Sequence, residues 1–159
     1  MHFAVLTVSD RCSQGLLTDT AGPAVVALLQ QNWPEVEIQT ALVPDDESAI
    51  AVYLHQWSDQ GAALVLTVGG TGMGLRDCTP EATRQVIDRQ APGLAEAMRF
   101  FGAENNPFAW LSRGVAGLKG STLIVNLPGS QRGAEQSLAS IAALLKHALE
   151  VAAGGQIHP

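Results

Sequence analysis

The sequence predicts one α/β domain in three layers, with helices on both faces of a mostly parallel central sheet and a β-hairpin at one side. Three observations carry this. Short apolar runs alternate with segments whose apolar residues recur at helical spacing. One of those runs, 63–68, is unbroken and β-rich, as a strand buried on both faces of a parallel sheet should be. A chain of 159 residues suits one ordinary domain and is short for two.

Residues 2–8 form the first strand, rich in Val and Leu and closed by Ser9-Asp10-Arg11. Residues 24–31 carry Val25, Val26, Leu28 and Leu29 as a helix, with Thr20 as its cap and Pro23 in the first turn, where proline is tolerated. Residues 35–42 alternate, with Val36, Ile38, Thr40 and Leu42 on one face, which predicts a strand whose other side meets water. Pro44-Asp45-Asp46 leads into a helix over 47–60, apolar at Ile50, Leu54 and Trp57. After the strand 63–68 comes a Gly-rich stretch, 69–77, and Thr79-Pro80-Glu81 has the pattern of a cap followed by proline at a helix start. That helix runs through Ile87, and another covers 94–101 after Pro92-Gly93. Residues 112–118 and 121–126 flank Lys119-Gly120 as a hairpin. A closing helix over 134–151 is apolar at Leu138, Ile141, Leu144, Leu145 and Leu149. The domain is expected to span 1–153, with 154–159 a flexible tail. No linker, repeat or low-complexity stretch interrupts it, which favours a free-standing protein.

Charged residues make up 15% of the chain, against about 25% for a typical soluble domain. That leaves little charge to cover a monomer, and a subunit of an oligomer is expected. The net charge of −6 argues against a partner bound by neutralising many phosphates, so nucleic acid is excluded. A small anion remains open to it, held by backbone N–H groups or a bound cation. The longest near-continuous apolar run, 62–68, falls far below the roughly 20 residues that span a bilayer, and the N-terminus lacks the basic start of a signal peptide. The expectation is a cytoplasmic protein with no membrane partner. Cys12 and Cys78 have no CxxC spacing and no neighbouring His cluster, and are expected as free thiols.

In such a sheet, ligands bind beyond the carboxyl ends of the strands, which directs attention to the loops 9–19, 43–46, 69–79 and 128–133. Gly69-Gly70-Thr71-Gly72-Met73-Gly74 follows a strand and precedes a helix, so its backbone can approach a ligand closely. It does not fit the dinucleotide pattern GxGxxG, because Leu75 stands where the third glycine belongs, and no segment fits a P-loop. Arg76-Asp77 and Thr79 follow at once. A carboxylate beside a phosphate cradle repels the ligand unless a cation such as Mg²⁺ lies between them. Asp77 is therefore either such a ligand or a local turn or cap. Of Asp45 and Asp46, a helix cap needs only one, which leaves the other for a metal. Asp10 and Asp19 sit in the first loop, and Arg113 either pairs with an anion or lies on the sheet edge. Pro128-Gly129-Ser130 offers a hydroxyl and amides at a helix start, or simply a capping serine. His2, His55, His147 and His158 share no face or spacing, and none is read as catalytic. The Trp residues and Phe100-Phe101 are expected in a core or a subunit contact.

Taken together, Thr7-Val8-Ser9-Asp10-Arg11, Val43-Pro44-Asp45-Asp46, Gly69-Gly70-Thr71-Gly72 with Arg76-Asp77-Cys78-Thr79-Pro80-Glu81-Ala82-Thr83, Leu111-Ser112-Arg113-Gly114 and Asn126-Leu127-Pro128-Gly129-Ser130 resemble the MogA family of molybdopterin adenylyltransferases. Its relatives include the G domain of gephyrin and MoaB, and the resemblance runs from about Phe3 to about Glu150 with the motifs in family order. It implies molybdenum cofactor biosynthesis: Mg-ATP-dependent adenylylation of molybdopterin, giving adenylyl-molybdopterin and pyrophosphate, ahead of molybdate insertion by a separate protein. By motif matching, Asp45 and Asp77 take the family's essential acidic positions, as catalytic residues and ligands of Mg²⁺. Gly69, Gly70, Thr71 and Gly72 line the nucleotide site, while Ser9, Asp10, Ser112, Pro128, Gly129 and Ser130 lie at the substrate. A homotrimer is implied, in keeping with the low charge. Met73-Gly74-Leu75 departs from a bulkier, proline-containing stretch common in the family, and Cys78 replaces an apolar residue. The alternative is a molybdopterin-binding carrier or scaffold without catalysis. An oxidoreductase is disfavoured by the missing GxGxxG.

Overall fold

Six strands in the order β2-β1-β3-β6-β5-β4 make the central sheet of the computed structural model, which describes residues 1–155. They are β1 (His2–Val8), β2 (Glu37–Val43), β3 (Leu64–Val68), β4 (Arg89–Gln90), β5 (Ala116–Lys119) and β6 (Thr122–Leu127). The helices are α1 (Asp10–Ser13), α2 (Ala21–Asn32), α3 (Glu47–Asp59), α4 (Thr79–Val86), α5 (Pro92–Asn105) and α6 (Gln131–Ala152), with a 3₁₀ turn at Pro107–Leu111. β2, β1, β3 and β6 run parallel, while β5 is antiparallel to β6 and β4 antiparallel to β5.

Alternate residues of the parallel strands supply two cores. Phe3, Val5, Leu64, Leu66, Val68, Val125 and Leu127 pack under α2, α5 and α6. Ala4, Leu6, Val8, Val65 and Ile124 pack under α3 and α4, where Ile50, Leu54 and Trp57 meet Ala82 and Val86. β3 is buried at all its positions, as its unbroken apolar run predicts. The fold is the expected three-layer α/β domain.

Several local expectations are corrected. Thr20 makes no capping bond; Asp19 Oδ1 instead accepts the Gly22 N–H at 2.9 Å, and α2 starts three residues earlier than the apolar pattern suggests. Only Val36 and Ile38 of the expected apolar face of β2 pack into the core; Thr40 and Leu42 are exposed, while Ala41 and Val43 face the α3 side. β2 is an edge strand, and the layer of α2 and α6 covers only the start of that face. Thr79 is the first residue of α4 rather than its cap, and its buried hydroxyl donates to Gly69 O at 2.8 Å. α5 extends to Asn105, and the hairpin's first strand begins at Ala116, because 112–115 cross to the Gly-rich loop. Leu144 lies on the outer face of α6, 48% exposed. Gly154 and Gly155 close α6 through N–H bonds to Val151 O and Glu150 O, both 3.0 Å; the rest of the expected tail lies outside the described residues.

Candidate active site

The carboxyl ends of β1, β2, β3 and β6 deliver four loops to one side of the sheet, and two cavities form among them. A polar one of about 650 Å³ is lined by Ser9, Asp10, Asp19, Asp45 and Gly69. A more apolar one of about 410 Å³ is lined by Thr71, Gly72, Met98, Arg99, Phe108, Ser112 and Pro128. Gly70, Asp77, Gly129 and Ser130 belong to both. Every residue that the sequence places in the site therefore lines one cavity or stands at their seam.

The Gly-rich turn needs its first two glycines. Gly69 has φ +109°, and a Cβ there would lie 2.2 Å from Val8 O. Gly70 has φ +65°, and its Cβ would meet the Thr79 hydroxyl at 2.3 Å. This close approach of backbones brings Gly70 beside Asp45, whose Oδ1 would stand 3.0 Å from the same Cβ.

Asp46 caps α3, its Oδ1 accepting the Ala49 N–H at 2.8 Å, so Asp45 is spared that task. Asp45 and Asp10 hold each other's backbone: Asp10 N–H donates to Asp45 Oδ2 at 2.9 Å, and Asp45 N–H to Asp10 Oδ1 at 3.0 Å. The exposed Arg76 forks onto Asp10 from the Gly-rich loop, at 2.9 and 3.1 Å. That guanidinium, with the Asp45 N–H, holds the Asp10 carboxyl below the usual carboxylate range. Burial pushes the Asp45 carboxyl above its usual value, and the charges of Asp10 and Asp77 add to this against the Asp10 N–H. Asp77 is no helix cap: Oδ2 accepts the Gly74 N–H at 2.8 Å in a local turn, and among the described residues Oδ1 has no protein donor. Ser9 and Ser130 cap α1 and α6, accepting N–H groups of Cys12 and Gly133 at 3.2 Å each.

Both cysteines are free. Burial and then the charges of Asp45, Glu47 and Asp46 push the Cys78 thiol up to about 11, which keeps it protonated at neutral pH. Among the described residues, no group of three or more His, Cys, Asp or Glu side chains could hold a metal by itself. No described helix is long and apolar enough to cross a membrane.

The contacts made by Arg113 and Asn126, and the presence of Arg99 and Phe108 at the site, were not legible in the sequence. Of the two readings of Arg113, the pairing with an anionic group holds, the group being the Glu81 carboxylate, and the same side chain donates to Gly72 O at 2.7 Å and Asp77 O at 2.8 Å. It holds the Glu81 carboxyl below its usual range. The Thr79-Pro80-Glu81 motif contained the partner, but nothing in the spacing joined it to residue 113. Buried Asn126 donates to Thr67 Oγ1 and Thr83 Oγ1, each at 2.9 Å, and accepts the Val115 N–H at 3.1 Å, which locks β6 to β3, α4 and the crossing segment. Arg99 and Phe108 bring α5 and the 3₁₀ turn into the wall of the apolar cavity, where the sequence offered only a helix and a loop.

Comparison with known proteins agrees with this arrangement. Residues 4–147 match the family described as a probable molybdopterin binding domain. The molybdopterin adenylyltransferase of Helicobacter pylori strain J99 is 35% identical over 156 residues, which cover 97% of this chain and 89% of that protein. The Drosophila melanogaster molybdenum cofactor synthesis protein cinnamon is 39% identical over 150 residues, covering 94% of this chain but only 25% of the fly protein. This chain spans a similarly small share, 21%, of the Dictyostelium discoideum gephyrin. The crystal structure of the molybdopterin biosynthesis enzyme MoaB from Thermus thermophilus superposes with a TM-score of 0.89 at 48% identity, covering 96% of both chains. With that match running through all four loops, the chain belongs to the molybdopterin-binding family.

Proposed function

We propose that this protein acts in molybdenum cofactor biosynthesis as a molybdopterin adenylyltransferase, consuming ATP. The observation that carries the reading is the seam at Asp77, where a carboxylate-lined cavity and a more apolar one meet. Such a pair suits two substrates whose phosphates must be brought together. The names of similar proteins over nearly the whole chain support it.

In the reaction, an oxygen of the molybdopterin phosphate attacks the α-phosphorus of ATP. A new P–O bond forms there, the bond to the bridging β-phosphate oxygen breaks, and pyrophosphate leaves with its electron pair. No covalent enzyme intermediate is needed, so catalysis is positioning and charge neutralisation. Gly69, Gly70, Thr71 and Gly72 present backbone to the nucleotide; Ser9, Asp10, Ser112, Pro128, Gly129 and Ser130 contact molybdopterin. Asp45 and Asp77 are the residues that hold Mg²⁺. Two hard carboxylates without a complete cage fit an ion that binds through one or two carboxylates plus substrate phosphates. When bound, it neutralises charge on the reacting phosphates. The protein works in the cytoplasm as a homotrimer, with exposed Phe100, Phe101, Phe108, Trp110 and Leu111 available for assembly, and passes its product to a separate molybdate-insertion protein.

Calorimetric titration with ATP tests the metal role. Mg²⁺ should tighten ATP binding to the natural protein at least tenfold, and that gain should vanish in Asp45→Asn and Asp77→Asn. Equal Mg²⁺ dependence in all three proteins would contradict it.

A further inference from the structure

The loop that carries Asp77 runs from β3 to α4 outside any regular element, so its shape must be imposed from elsewhere. Its internal bonds are few: Asp77 N–H to Gly74 O at 3.0 Å, Gly74 N–H to Asp77 Oδ2 at 2.8 Å, and Thr79 N–H to Gly70 O at 3.1 Å. Much of the remaining constraint comes from one residue of a distant segment. The Arg113 N–H donates to Thr71 O at 2.8 Å, its Nε to Gly72 O at 2.7 Å and its Nη2 to Asp77 O at 2.8 Å, while Nη1 pairs with Glu81 on α4.

A guanidinium is a rigid planar fork, so the carbonyls of Gly72 and Asp77 are fixed relative to each other and to α4. A lysine at this place would carry the same charge without the fork. The two carbonyl oxygens thereby face a cation instead of a bound phosphate, which they would repel. Arg113 is itself braced, because Arg99 on α5 donates to the carbonyls on either side of it, Ser112 O at 3.3 Å and Gly114 O at 3.0 Å. Arg113 lines neither of the two cavities that meet at Asp77, and Glu81 offsets its charge.

We infer that Arg113 is a positioning residue for adenylyl transfer, a splint that acts through the backbone of Gly72 and Asp77 to hold the Asp77 carboxylate at the seam of the two cavities. This rests on the proposed activity, but its structural half can be judged separately. The experiment compares Arg113→Lys and Arg113→Ala with the natural protein, by amide hydrogen exchange and by turnover of molybdopterin with Mg-ATP. Exchange should quicken at Gly74, Asp77 and Thr79 while the amides of β3 and β6 keep their protection. Turnover should fall about ten- to a hundredfold, the scale of a small misplacement of a catalytic group, with kcat changing more than the KM for ATP. Millimolar guanidinium should restore part of the turnover of Arg113→Ala and leave the natural protein unaffected. Unchanged loop exchange would overturn the inference, as would quickened exchange with full turnover. Equal loss of protection in β3 and β6 would reduce Arg113 to a general structural residue and overturn it as well. If the natural protein makes no pyrophosphate, the proposed activity fails, and the exchange pattern alone keeps or sinks the splint. Should the alanine variant not fold, the lysine variant carries the same comparison.

Discussion

Asp45 and Asp46 are adjacent carboxylates with different work. Asp46 caps α3, so Asp46→Ala should destabilise the fold by about 1 kcal/mol in denaturant titration and leave turnover near normal. Asp77, held in a local turn, should behave in the opposite way. Asp77→Asn should keep the circular dichroism and melting temperature of the natural protein while turnover drops at least a hundredfold, by roughly 3 kcal/mol of lost electrostatic stabilisation. A variant with near-normal pyrophosphate release would remove Asp77 from the metal site. Glu81 gives a pH test. Its carboxyl lies below the usual value of 4.5 because Arg113 hydrogen-bonds it, so the unfolded chain binds more protons and stability rises with pH. The advantage of the natural protein over Glu81→Gln should be full above pH 4.5 and shrink as pH falls through the folded value. At this scale the sequence was informative about acids and glycines in the loops, because their spacing from strand ends is local. It offered Arg113 a pairing with an anion but did not identify its partners at Gly72, Asp77 and Glu81, which are joined to it only by the fold.

The elements follow the same division. Strands β1 and β3 are legible because both faces are buried and their runs are almost wholly apolar. β2 misleads because an edge strand covered on only part of each face need not alternate cleanly. Helix starts misled at Thr20 and Thr79, since a neighbouring Asp19 takes the first capping role and the second hydroxyl is consumed by Gly69 O. The joint between elements that matters most is Asn126. Asn126→Ala would remove the acceptor of the half-buried Val115 N–H and the donor to the buried Thr67 and Thr83 hydroxyls, and should destabilise the fold by about 1–3 kcal/mol in denaturant titration. A change below about 0.5 kcal/mol would show that the network is not shared between β6, β3 and α4.

For the whole molecule, the low charge of the sequence and the exposed aromatic side chains of α5 and the 3₁₀ turn belong together. Light scattering should give a particle three times the mass of the 16.7 kDa chain, and a strict monomer would require another use for that surface. The parallel run of β2, β1, β3 and β6 places all four loops at one end of the sheet, as the alternation of strands and helices in the sequence implies; the order of the strands was specified by neither composition nor periodicity. The central claim is that this site transfers an adenylyl group. Purified protein incubated with molybdopterin and Mg-ATP should yield pyrophosphate and a pterin heavier by one AMP in mass spectrometry, and both should disappear with EDTA. Tight molybdopterin binding with no AMP-bearing product would contradict the account and make the protein a carrier.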